Sequence, residues 1–166
     1  MFERLNTPED AYNYKLGAAL KMERTVLEIL EDNIEHAQDG RVEELLQSHH
    51  EESRQHLDNL QEVFELFGWD IDDSPCPAID GLEKEGKANV KKSDDAIVDV
   101  IILQGCVEVE HHEIGGYENL IIGAESMGRQ DAVTVLRRNI TSEQDALEKV
   151  KSLAAELAAA PAGHPG

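Results

Sequence analysis

The stretch GWDIDDSPCPAIDGLEKEGKAN, residues 68–89, decides the topology of this chain. Gly68, Pro75, Pro77 and a run of aspartates break any long helix and leave room for one short helix, near 78–90. Outside this stretch the texture is helical. Proline is absent from Glu9 to Ser74, and leucine, glutamate and alanine, all strong helix formers, abound. Thr7 before Pro8, Glu9 and Asp10 is a helix start: a capping hydroxyl, proline at the first position and acids against the dipole. Apolar residues recur at helical spacing from Leu16 through Leu20, Val26, Leu27, Leu30 and Ile34 to a break at Asp39-Gly40. A second helix runs through Leu45, Leu57, Leu60, Val63 and Phe64 to Phe67. Beyond the crossover, Ser93 with Asp94 and Asp95 reads as the cap of a third long helix through Ile97, Ile101, Ile102, Val109, Ile114 and Leu120. Gly128 marks the next turn, and a fourth helix carries Val133, Leu136, Ile140, Leu147, Val150, Leu153 and Leu157.

Two helical hairpins with short turns, joined by a long crossover (68–93) with a short extra helix, predict an all-α, ferritin-like four-helix bundle. Each long helix spans roughly 40 Å. Aromatic residues make up only 4% and no alternating pattern supports a sheet. Residues 1–160 are expected to form a single domain and 161–166 a flexible tail.

With 35 acidic and 15 basic residues the formal charge is −20. Such a surface repels nucleic acid and anionic membranes. Cys76 and Cys106 make no disulfide framework, and no stretch has the length of a signal peptide's apolar core or a membrane span. A cytoplasmic protein is expected, with no nucleic-acid or membrane partner.

Each apolar stripe is interrupted once, near its middle. On the first helix Leu16 and Leu20 lead to Glu23, and Val26 resumes. On the second, Leu45 leads to His49, Glu52 and His56, and Leu60 resumes. On the third, Ile102 and Cys106 lead to Glu110, Glu113 and Tyr117; on the fourth, Leu136 and Ile140 lead to Glu143. Glu113 and Glu143 are equidistant from Gly128, and Glu23 and Glu52 nearly so from Asp39-Gly40, so each hairpin can bring two carboxylates together. An ionised carboxylate buried alone costs several kcal/mol against a domain stability of about 5–15 kcal/mol. No arginine or lysine on these stripes answers the five glutamates. Either most are protonated, or cations sit among them. Two divalent ions supply the missing positive charge, and carboxylates with imidazoles suit iron or manganese, with zinc possible. Glu23, Glu52, His56, Glu110, Glu113, Glu143 and His49 are the candidate metal ligands. Glu52 and Glu143 read as bridges, Glu23 with His56 as completing one metal, Glu110 with Glu113 as completing the other, and His49 as a ligand or an outer partner.

Three motifs then point to a known family. HHEESRQHLDNLQEVFELFG (49–68) resembles the second helix of the YciE/YciF ferritin-like family, with His49, Glu52-Ser53 and His56 at the matching places. CPAIDGLEKEG (76–86) is similar to that family's connecting segment, through Cys76, Ala78, Ile79, Gly81, Leu82, Glu85 and Gly86. VEHHEIGGYENL (109–120) resembles its third-helix signature, giving Glu110, His111, Glu113, Ile114 and Tyr117. Glu23 and Glu143 fall where the family places its first- and fourth-helix carboxylates. The resemblance covers about Leu16 to Leu157. It implies a ferritin-like bundle, a homodimer, a dinuclear site and a stress-linked ferroxidase role. This chain departs from the pattern at His112, where tyrosine is usual, and at Gly115-Gly116, where two alanines are usual and close helix approach is expected. Related sites also place a histidine three residues after the last glutamate; here Ala146 and Leu147 follow Glu143.

The expected function is that of a dinuclear oxidoreductase holding two iron ions and oxidising Fe(II) with O2 or peroxide. A dimanganese pair on the same ligands favours peroxide disproportionation. Tyr117, one turn beyond Glu113, is the candidate catalytic residue, placed to gate access, to hydrogen-bond an oxygen species or to donate an electron. The alternatives are a non-catalytic metal-binding or stress-associated interaction protein of the same fold, and a metal-free bundle whose acids are protonated.

Overall fold

A computed structural model describes residues 4–159. It contains α1 (Pro8–His36), α2 (Gly40–Phe67), α3 (Pro77–Lys91), α4 (Val98–Ser126) and α5 (Gln130–Ala159), and no strand among the described residues. The predicted tail at 161–166 lies outside the described residues. None of the helices described is long and apolar enough to cross a membrane.

Local chemistry sets most boundaries. Thr7 caps α1 in a full capping box with Asp10, and Pro8 occupies the first turn. Asp39 caps α2 by accepting from the Arg41 backbone N–H. Gly68 and Gly128 take φ of 70° at the ends of α2 and α4, a left-handed conformation that glycine adopts without a Cβ penalty.

One boundary differs from the sequence reading. Helix α4 begins at Val98, not just after Ser93-Asp94-Asp95. The Ser93 hydroxyl donates instead to the Asn89 carbonyl at the end of α3, and Asp94 accepts from the Ala96 N–H in a turn. Both capping groups are consumed before the helix starts. The carboxylate in the first turn is Asp99, whose oxygens accept from the backbone N–H groups of Gln38 and Asp39 at 2.9 Å each. This bond ties the start of α4 to the α1–α2 turn.

Neighbouring long helices run antiparallel. On α1 and α4, Tyr12 lies against Gly123 and Asn33 against Cys106. On α2 and α5, Arg41 meets Glu156, Asn59 meets Asn139, and the Leu66 carbonyl meets Arg129. The crossover therefore traverses the bundle lengthwise, from the end of α2 to the α1–α2 turn. On the way α3 packs on α1 and α4, burying Ile79 and Val90. Phe67 stacks on Trp69 at 4.4 Å with Arg129 over the Phe67 ring, closing the end of the bundle farther from the α1–α2 turn.

The core holds Leu16, Leu20, Val26, Leu30, Leu46, Leu60, Val63, Ile102, Leu120, Leu136 and Val150, among others. On α2 the stripe enters through Leu46, with Leu45 only half-buried. Close helix approach occurs at Gly123, where a Cβ would stand 2.5 Å from the Tyr12 ring, and not at Gly115-Gly116. Gly115 faces open space and Gly116 has only ordinary contact with Met22 at 3.6 Å.

Candidate metal centre

Halfway along the bundle, the buried faces of all four long helices turn polar. Helix α1 contributes Glu23, α2 His49 and His56, α4 Glu110, Glu113 and Tyr117, and α5 Glu143, all buried. Glu23, Glu113 and Glu143 are 0% exposed. Among the described residues no lysine or arginine is buried, so the carboxylates have only the two imidazoles as cationic neighbours.

The candidate ligand atoms form two groups that share one carboxylate. Glu23, His56 and Glu143 each offer an atom within 4.8 Å of the others, and so do His49, Glu110, Glu113 and Glu143. His56 Nδ1 stands 2.7 Å from Glu143 Oε1 and 3.6 Å from Glu23 Oε1. His49 Nε2 stands 2.9 Å from Glu110 Oε1 and 3.7 Å from Glu143 Oε2. Despite these distances the ring nitrogens lack the alignment of an N–H hydrogen bond: Nδ1 of His56 and both nitrogens of His49 have no hydrogen-bond partner. Neither do Glu23 Oε2, Glu110 Oε2 and both oxygens of Glu113 and Glu143, making nine unpartnered buried atoms in one cluster. Folded proteins pair the large majority of such groups. Carboxylate and imidazole atoms that converge without pairing fit a divalent cation of the iron, manganese or zinc class.

The acid–base behaviour follows from the same crowding. Burial, then Glu143, Glu23 and Glu110, push the Glu113 carboxyl well above its usual range. Burial also raises Glu143, to about 8, against the opposing pull of His56. Burial alone would lower His56, but Glu143 and Glu23 outweigh it and hold the ring up at about 10. His49 is likewise raised by Glu110 and Glu52 despite its burial. Without cations, protons carry the compensation.

Tyr117 sits inside the cluster. Its hydroxyl donates a short hydrogen bond to Glu23 Oε1 and accepts one from Asn139 Nδ2 at 3.0 Å. Burial and the Glu23 and Glu143 charges raise its pKa well above that of a free phenol, so the phenol stays protonated. Asn139 also donates to the His56 carbonyl at 3.1 Å and accepts from Asn59 Nδ2 at 2.6 Å. Ser53 on α2 is also fully buried. The sequence reading did not single out Asn59 or Asn139, and it named Ser53 only as part of the second-helix motif. Their signal was present, since each lies three or four residues from His49, His56 or Glu143 on the same stripe.

Glu52 does not face both hairpins. Its side chain is 31% exposed, with one oxygen 3.6 Å from Lys149 Nζ and the other 3.6 Å from His49 Nδ1. One residue along a helix is a rotation of about 100°, and Ser53 takes the inward place. The partner of Glu23 across the first hairpin is His56, which is equidistant with it from the Asp39-Gly40 turn. Of the five candidate glutamates, four are therefore buried. Helix α5 offers only Glu143, and the second imidazole is supplied by His49 on α2.

These features define a bundle of four long helices with a buried carboxylate–imidazole cluster at mid-height. A family profile described as "Domain of unknown function (DUF892)" matches residues 7–162, and the chain belongs to this family, in keeping with its YciE/YciF motifs. It is 22% identical over 152 residues to Protein YciF of Escherichia coli (strain K12), covering 90% of this chain and 92% of that protein. Among solved structures it is similar to YcfI of Rhodopseudomonas palustris, provisionally described as a structural protein. That match has a TM-score of 0.88 and 31% identity, over 92% of this chain and 98% of the other. The crystal structure of the E. coli stress protein YciF shares the fold, at TM-score 0.87 and 23% identity over 93% and 98% of the two chains.

Proposed function

We propose that the chain is a ferritin-like dinuclear metal protein, a ferroxidase-type oxidoreductase that oxidises Fe(II) with O2 or hydrogen peroxide in stress protection. The observation that carries this reading is the convergence of nine unpartnered carboxylate and imidazole atoms from all four long helices at one height. The order of hairpin, lengthwise crossover and hairpin supports the ferritin-like reading. Glu23 and His56 would hold one ion, His49, Glu110 and Glu113 a second, with Glu143 shared between them. Two iron ions bound by these residues would supply two electrons to one oxidant molecule; manganese in their place would suit peroxide disproportionation.

The chain's own groups set the conditions. Apolar residues above and below bury the cluster, which strengthens each charge interaction inside. Tyr117 keeps its proton and orients Glu23 through their hydrogen bond, while Asn139 fixes the phenol in turn. A homodimer in a reducing cytoplasm belongs to the same proposal, and the description of E. coli YciF as a stress protein supports the stress role.

The structural description of YcfI favours a second reading, a non-catalytic metal-binding or interaction protein. Metal analysis followed by Fe(II) oxidation in wild type and Glu143→Ala separates the two. About two ions per chain, with oxidation that the substitution abolishes, is the expected result. Ions bound without turnover select the second reading, and a protein that takes up no metal discards both.

A further inference from the structure

A cleft of about 290 Å³ opens between α2 and α5, lined by Glu52, Gln55, His56, Asn59, Arg138 and Ser142. It borders the buried cluster, because its lining includes His56, one of the imidazoles beside Glu143. Glu52, the partly exposed carboxylate described above, also lines it. One of its oxygens lies near Lys149 on the outside, and the other near the unpartnered Nδ1 of the buried His49.

We infer that the α2–α5 cleft is the passage by which divalent cations reach the buried cluster, and that Glu52 is its capturing carboxylate, a positioning residue that hands the ion inward to His49 and His56. The inference rests on the proposed metal-binding role and adds the route to it. Three features carry it. A cation leaving water needs an anionic oxygen at the boundary, and Glu52 is the acid among the cleft-lining residues. Its pair with Lys149 is exposed, and such pairs contribute only about 0–1 kcal/mol, so an arriving ion displaces the ammonium readily. The His49 ring lies between Glu52 and the cluster, with Nδ1 3.6 Å from Glu52 and Nε2 2.9 Å from Glu110, so a carboxylate turning inward meets an imidazole already in contact with the cluster.

A passage residue and a ligand leave different kinetic marks. A passage residue changes association and dissociation together and leaves the equilibrium constant alone, whereas a ligand changes affinity through the off-rate. The test follows Co(II) uptake by the full chain in stopped flow through its visible absorption, with release driven by excess chelator. Glu52→Gln should slow both rates by about tenfold, the low end of the effect of a charged cleft on ion arrival, with unchanged final stoichiometry. Lys149→Gln should speed both several-fold, and Ser142→Phe, which narrows the cleft without altering charge, should slow both. Glu44→Gln, an exposed α2 acid outside the cleft, controls for net charge and should leave the rates within twofold. Weaker binding of Co(II) by Glu52→Gln at an unchanged on-rate would make Glu52 a ligand and overturn the inference. Unchanged rates in both Glu52→Gln and Ser142→Phe overturn it too, leaving the metal centre standing. Failure of the wild type to bind Co(II), Mn(II) or Fe(II) overturns the inference and the proposed function together.

Discussion

Replacing Glu143 with glutamine tests the centre most directly, because Glu143 is the residue that both ligand groups share. The amide keeps the shape of the carboxyl and removes its ability to ionise. In the metal-free protein the folded-state pKa of Glu143 is raised to about 8 from 4.5. A group raised in this way contributes stability that is fully present below its unfolded pKa and is lost as pH climbs through the folded one. At 1.36 kcal/mol per unit the shift alone is worth on the order of 4–5 kcal/mol, and the loss of His56's nearest carboxylate reduces the net gain to roughly 2–4 kcal/mol. In chelator, wild type and Glu143→Gln should therefore melt alike near pH 4.5, while near pH 9 the variant melts higher by about 5–15 °C for a chain of this size. With a divalent ion at a thousandfold its Kd, the wild type gains about 4 kcal/mol by mass action, and the variant, lacking the shared ligand, keeps less than about 1 kcal/mol. Differential scanning calorimetry at both pH values, with EDTA or with Mn(II), reads every arm. A wild-type melting temperature indifferent to Mn(II), or a variant that retains the full gain, refutes the metal argument. Parallel pH profiles for the two proteins in EDTA refute the electrostatic one.

Tyr117→Phe strips Glu23 Oε1 and Asn139 Nδ2 of a partner, so calorimetry should show a loss of about 1–3 kcal/mol. If the phenol takes part in oxidation, Fe(II) turnover falls in this variant while metal content holds. Gly123→Ala drives a methyl into the Tyr12 ring and should cost about 1–3 kcal/mol. At Gly115, where nothing lies within 4 Å of the added Cβ, the same change should stabilise by about 0.5–1 kcal/mol, and paired urea melts compare the two. With a formal charge of −20, raising NaCl from a few millimolar to about 0.5 M should raise the melting temperature by screening self-repulsion, and a flat response counts against that reading.

The long helices were legible because their signals are local. Thr7-Pro8, Asp39-Gly40 and Gly128 each act within a turn of the boundary they mark. The start of α4 was misread where local signals competed: a serine and an aspartate can cap the next helix or close the previous one, and here the end of α3 took the serine. The buried polar cluster was legible down to its residue types and its height. It was misread at Glu52, because a stripe drawn through spacings of three and four has edges about one residue wide. The register across the first hairpin settles the matter, since His56 is the residue of α2 that faces Glu23. No rule of spacing along one helix contains that information. Asn59 and Asn139 were missed for a related reason. Each is an ordinary polar residue on its own helix, and only the approach of α2 to α5 makes them a hydrogen-bonded pair that holds Tyr117.

The same crowding explains how one set of residues can act as a proton store and, in the proposed function, as a cation site. Glu113 and Glu143 hold protons because burial and their neighbours oppose charge, and His49 and His56 hold them because carboxylates surround the rings. A divalent ion satisfies both demands at once: it neutralises the carboxylates and accepts the imidazole lone pairs. Each ion bound therefore releases protons, and affinity must rise with pH across the range in which those groups titrate. Isothermal titration of Mn(II) in buffers of differing ionisation enthalpy measures that release. More than one proton per ion near pH 7 is expected; a value near zero would mean that the cluster had been ionised beforehand, which four glutamates without a buried lysine or arginine cannot sustain.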